Sequence, residues 1–151
     1  MLTADQAAFV QGEVTILLAS RDDELVCDVV RVFGAVVDPG RTLVTFYLPD
    51  ATSERTLANA RKHPRLAVVF ASPVDYRTLQ IKGTCVAVRP ANGADQAVVE
   101  RYRKALLSTL HKVGLLPEFA SSWVALPCTA LELRAEEIHA HTPGLNAGAP
   151  A

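Results

Sequence analysis

The sequence is poor in the residues that announce special chemistry. Its 151 residues hold one tryptophan, one methionine and three cysteines. Cys27, Cys85 and Cys128 are odd in number and far apart, with no CxxC pair and no zinc-ligand spacing. That argues against a disulfide framework and a thiolate metal site, so all three read as reduced core residues. Lys and Arg number 15 against 16 Asp and Glu, for a net charge of −1. Binding a phosphate backbone needs a basic surface, so nucleic acid is not an expected partner. No run approaches the roughly 20 apolar residues of a membrane span. The opening stretch, MLTADQAAFVQGE, lacks a basic segment followed by a long apolar one, so no signal peptide is expected. These absences point to the cytoplasm. There is also no GxSxG elbow, Walker loop, HExxH or GxGxxG.

What is present is a globular composition, half hydrophobic and 21% charged. The length suits one domain, expected over residues 1–141, with an irregular Pro/Gly-rich tail at 142–151. Thr3 is placed to cap a short helix running to about Gln11. Val14–Ser20 reads as a strand, and Leu25–Asp38 as a second, long one that ends at the turn signal DPGR. Thr42–Leu48 follows and should pair with it as a hairpin. A helix is expected over Ser53–Lys62, stopped by Pro64. Arg65–Ser72 and Asp75–Pro90 read as strands, Ala94–Val113 as an amphipathic helix, and Cys128–His141 as a last strand. Five or six strands and two or three helices result. Tight turns between successive strands favour antiparallel pairing, and Val- and Leu-rich strands with few helices suggest a closed or partly closed barrel.

Few residues stand out as chemical. Arg31 sits inside the apolar run VVRVFGAVV. A charge there faces water or a partner subunit, or it reaches an anion. On Asp75–Pro90 the period of two puts Leu79, Ile81, Gly83, Cys85 and Ala87 on a core face. Tyr76, Thr78, Gln80, Lys82 and Thr84 share the other, as a ligand lining or a solvated face. Arg55 falls in the first turn of the expected helix, where the helix dipole disfavours a cation. With the hydroxyls of Ser53 and Thr56 and the free N–H groups of a helix start, it would form a phosphate cradle. Alternatively it bends into water. His139 and His141, two apart on a strand, share one face and read as exposed histidines or as metal or haem ligands. Trp123 reads as packing.

The succession VVRVFG, DPGR, LVTFYL, SERTLANARKHPRLAVVF and DYRTLQIKG resembles the flavin-binding split-barrel superfamily, and most closely proteins related to pyridoxamine 5′-phosphate oxidase. The resemblance covers about Glu13 to Arg89. It implies a mainly β fold, an antiparallel FMN-binding split β-barrel with two to three flanking helices. It further implies a homodimer holding flavin mononucleotide at the subunit interface and an FMN-dependent oxidoreductase acting on a small molecule. In that family a Ser-Arg-Lys motif precedes the helix; the matching positions here are Glu54, Arg55 and Thr56, so Arg55 corresponds to a phosphate ligand. Arg31 resembles the family's strand arginine, and Gln80 and Lys82 fall on a flavin-contacting strand. The region from Trp123 to Ala151 offers no match to the arginine and histidine that hold pyridoxal phosphate in the oxidase itself. A non-catalytic flavin or haem protein and a deazaflavin-dependent reductase are the alternatives on the same barrel.

Overall fold

A computed structural model describes residues 1–144 and 150. Of the tail expected at 142–151, residues 145–149 and 151 lie outside the described residues. The first helix, α1 (Ala4–Val10), starts where the cap was expected: the Thr3 hydroxyl accepts from the Gln6 amide, and the Gln6 side-chain Oε1 in turn accepts from the Thr3 amide. Seven strand segments follow: β1 (Thr15–Arg21), β2 (Cys27–Val32), β3 (Ala35–Val37), β4 (Leu43–Pro49), β5 (Arg65–Ala71), β6 (Thr78–Pro90) and β7 (Cys128–Ala140). They form one antiparallel sheet in the order β2-β1-β5-β6-β7-β4-β3.

The long strand expected over Leu25–Asp38 is two strands. Gly34, at φ +121°, breaks it, because that left-handed backbone is strained for any residue with a Cβ. The bend closes the barrel. β2 pairs with β1, while past the bend β3 pairs with β4, so the two ends of the sheet order are joined by two residues of chain. The Phe33 amide donates to the Tyr47 carbonyl at 2.9 Å and sews the seam. DPGR turns as expected. The Asp38 carboxylate accepts from the amides of Gly40, Thr42 and Leu43, which holds it below the usual carboxylate range, the Leu43 bond contributing most.

The barrel interior is apolar. Ile16, Leu18, Val32, Val44, Phe46, Leu48, Val68, Phe70, Ile81 and Leu133 are all fully buried, and alternation along each strand puts them on one face. Helix α2 (Asp50–Lys62) closes one end of the barrel through hydrogen bonds from Thr56 to Asp28 and from Asn59 to Ser20. Helix α3 (Gly93–Lys112) lies over the bend at Gly34, and a short helix, α4 (Pro117–Ser121), leads back to β7.

The start of α3 is locked by one carboxylate. Asp95 accepts from Arg89 (Nη1, 2.5 Å), from the Tyr47 hydroxyl (3.0 Å) and from the Asn92 amide (2.9 Å), while Asn92 caps the helix in return. The Arg89 guanidinium is the main cause that lowers the Asp95 carboxyl to about 2. A depressed folded-state value stabilises the fold in full above the unfolded carboxylate value of roughly 4. That stability fades as pH falls from there through the folded value of about 2. Asp95 is therefore expected to contribute about 2 kcal/mol at neutral pH, discounting for the half-exposed arginine. Urea melts at pH 6 and pH 2.5 test this: the stability difference between the two pH values should be larger in the wild type than in Asp95→Asn by that order, and equal differences would refute it.

Candidate functional site

Cross-strand register arranges the outside of the barrel into rows. Arg31, Leu17, Val69, Gln80 and His139 stand opposite one another in succession across β2, β1, β5, β6 and β7. The next row is Val29, Ala19, Ala67, Lys82 and Glu137. The result is a platform with an apolar floor of Leu17, Ala19, Ala67 and Val69. Arg31 is at one end and a polar wall at the other. Three strand spacings separate the Arg31 and Gln80 backbones, or about 14 Å. Apolar side chains on this face meet solvent, with Val29 59% and Leu17 38% exposed.

Arg31 is held in an unusual way. Its guanidinium carbon lies 4.2 Å from the centre of the Trp123 ring, which in turn packs edge-on against Phe33. Stacking on an indole orients a guanidinium without neutralising it. Its Nη1 is buried and has no hydrogen-bond partner. Asp28 gives it none: that side chain sits on the opposite face of β2 and accepts from Thr56. Buried donors in native proteins are nearly always satisfied, so an orphan on an arginine marks a place for an acceptor.

The polar wall has its own order. His141 Nε2 is 3.3 Å from the Gln80 side-chain oxygen, and His139 Nε2 is 3.3 Å from Glu137. Glu137 is held below the usual carboxylate range, first by that hydrogen bond and then by Arg65 and Lys82 nearby. Both histidines are half-buried and hydrogen-bonded. Among the described residues there is no group of three or more His, Cys, Asp or Glu placed to hold a metal ion.

The six residues singled out in the sequence thus fall in two places. Arg31, Gln80 and Lys82 share the platform. Ser53, Arg55 and Thr56 lie on α2, which begins at Asp50, three residues earlier than expected. Arg55 is therefore outside the first turn, and the conflict with the helix dipole does not arise. The free N–H groups expected beside Ser53 and Thr56 are not there, because the helix has already begun. Arg55 is 56% exposed and donates to Asp22 at 3.0 Å. Thr56 is committed to Asp28, and the Ser53 hydroxyl is buried without a partner.

Other expectations need correction. Cys27 is exposed, at the edge of the platform, and only Cys128 is fully buried; burial pushes the Cys128 thiol up to about 11. Tyr76 precedes β6 in a turn at φ +60° and does not join the polar row. The pairing of Trp123 with Arg31 was missed, since nothing local in the sequence ties a loop tryptophan to a strand arginine. The ion pairs from Asp22 to Arg55 and from Asp23 to Lys62 are absent from the sequence reading, although two consecutive acids ahead of a basic helix were a usable signal.

A family model described as pyridoxamine 5′-phosphate oxidase matches residues 2–142. No curated protein matches the sequence. Among solved structures, an F420 reductase aligns with a TM-score of 0.58 at 15% identity, over 86% of this chain and 92% of that one. HupZ from Group A Streptococcus aligns at 0.59 and 13% identity, over 98% and 100%. General stress protein 26 from Bacillus anthracis aligns at 0.51 and 10% identity, over 87% of each. At such identities the likeness is one of fold.

Proposed function

Because the chain belongs to the pyridoxamine 5′-phosphate oxidase family, we propose that it binds flavin mononucleotide on the outer platform and serves as an oxidoreductase for a small molecule. The observation that carries this reading is Arg31, whose buried Nη1 is unpartnered and whose plane is fixed by Trp123. A phosphate or a flavin carbonyl offers the missing acceptor, and the apolar floor suits a flat aromatic ring. Gln80 and Lys82 supply donors at the far wall. Ser53, Arg55 and Thr56 are proposed ligands as well, Arg55 only once it leaves Asp22. A bound flavin supplies hydride and electron transfer, so the chain needs no nucleophile of its own. Its residues hold the cofactor, orient it and keep water from the floor.

The exposed Leu17 and Val29 call for a cover, and a second copy of the chain is the proposed one. With three free thiols, the reading places the protein in the cytoplasm.

Titration with FMN, followed by quenching of flavin fluorescence, tests the proposal. The wild type should bind as a dimer by light scattering, and Arg31→Ala should weaken binding at least about tenfold, the loss of a charge-assisted hydrogen bond. Equal affinity in Arg31→Ala would remove Arg31 from the site. Absence of FMN binding with uptake of a deazaflavin would favour the alternative cofactor, and a haem band in place of either would move the reading to His139 and His141.

A further inference from the structure

The outward face of α3 is basic, on a chain whose net charge is −1. Val99, Tyr102, Leu106 and Thr109 turn into the core, and helical periodicity leaves Arg101, Arg103, Lys104 and Lys112 on the opposite side. Between residues 100 and 124 the only acids are Glu100 and Glu118. Elsewhere Arg55, Lys62, Arg65, Arg77 and Arg89 all pair with carboxylates. The side chains of the four α3 cations make no hydrogen bond or ion pair among the described residues, and the Arg103 Nε is buried without an acceptor.

Apolar side chains project beside these cations. Helix α3 ends in a Schellman turn: Gly114 is left-handed at φ +97°, its amide donates to the His111 carbonyl at 3.1 Å, and the Leu115 amide donates to the Leu110 carbonyl at 2.9 Å. The reversal lays α4 against the end of α3, and Leu107, His111, Leu115, Leu116 and Ala120 line a groove of about 440 Å³ between them. Arg103 stands four residues before Leu107 and Lys104 seven before His111, so both rise from the stripe that forms the groove. Ala120 is buried, while Leu116 is 57% and Phe119 65% exposed, with Val113 and Val124 exposed on either side.

Exposed apolar side chains among unpaired cations call for a partner that is both anionic and apolar. A second copy of this face is a poor one, because a twofold contact sets the patch against itself and brings cations onto cations. A partner helix needs anchors along several turns, and this groove follows little more than one turn of α3. A bilayer surface with anionic headgroups supplies both properties: its phosphates meet the Lys and Arg side chains, and its acyl boundary takes the Leu and Phe. We propose that the α3–α4 corner is a peripheral docking surface for an anionic lipid bilayer, with Leu116 and Phe119 inserted at the headgroup boundary and Arg103, Lys104 and Lys112 among the headgroups. The surface uses none of the residues assigned to the flavin.

Cosedimentation of the full chain with vesicles, in the absence of flavin, tests the proposal. Vesicles of phosphatidylcholine and phosphatidylglycerol should bring the wild type down at about 0.1 M salt, and about 1 M salt should release it. Vesicles of phosphatidylcholine alone should not bind it. Lys104→Ala/Lys112→Ala should weaken binding roughly twentyfold, at about fivefold per cation. Leu116→Ser/Phe119→Ser should weaken it at least about tenfold. Val74→Ser, which removes an equally exposed apolar side chain from the turn between β5 and β6, should leave binding unchanged. Circular dichroism checks that each variant is folded. No binding to the anionic vesicles overturns the proposal, as does equal binding to neutral ones, or binding that both double variants retain. Capture by polyglutamate but not by vesicles would overturn it in favour of an acidic protein partner.

Discussion

Gly83→Ala should be the most damaging single-methyl change in the barrel. Gly83 lies on β6 at a register shift against β7, and a Cβ there would sit 1.9 Å from the Arg134 carbonyl oxygen and 2.9 Å from its carbon. The obstacle is backbone, so no rotamer change relieves it. The two longest strands would have to part where they hold each other. The cost belongs to the exceptional class, above about 4 kcal/mol, and should lower Tm by roughly 8–16 °C in a chain of this size. Thermal unfolding followed by circular dichroism checks it. A Tm within about 3 °C of wild type would mean that β6 and β7 are not packed at that distance.

Phe46→Ala should follow. Phe46 is fully buried in β4, and its ring centre is 6.0 Å from that of Phe70 on β5, tilted by 41°. The two rings face each other across the barrel interior, and β4 and β5 are not neighbours in the sheet. Truncation removes the transfer energy of the ring and leaves a cavity that closed strands cannot collapse, for about 3–5 kcal/mol. Phe46→Leu keeps most of the volume and should cost under about 2 kcal/mol. Urea midpoints at constant m-value separate the two. If both variants lost the same small amount, the barrel would be open enough to refill.

These two effects show how unevenly the fold could be read beforehand. Gly83 is placed on the core face by its period of two, and Phe46 only within the strand expected over Thr42–Leu48. Neither reading contained the Arg134 carbonyl or the Phe70 ring, which come from other strands. The candidate site divides in the same way. Arg31 was notable as a charge among valines, but its alternatives of water, partner and anion were weighed without Trp123. Arg55 was notable as a cation at a helix start, and the structure removes that premise by starting α2 at Asp50 and adds a partner, Asp22.

What the sequence determined by itself is local. The Thr3 capping box, the Asp38 turn, the stop at Pro64 and the alternation in β1 and β5 each depend on groups within a few residues, where covalent geometry already sets which hydrogen bonds and faces are possible. Antiparallel pairing followed, because short turns between strands permit little else. The tertiary structure alone decided the rest. The break at Gly34 is needed only because the chain that leaves β2 must turn to pair with β4 as β3 and so close the sheet. Arg31 finds Trp123, Asp22 finds Arg55 and Gly83 meets Arg134 through contacts between segments distant in sequence, and such contacts exist only after the register of every intervening strand is set.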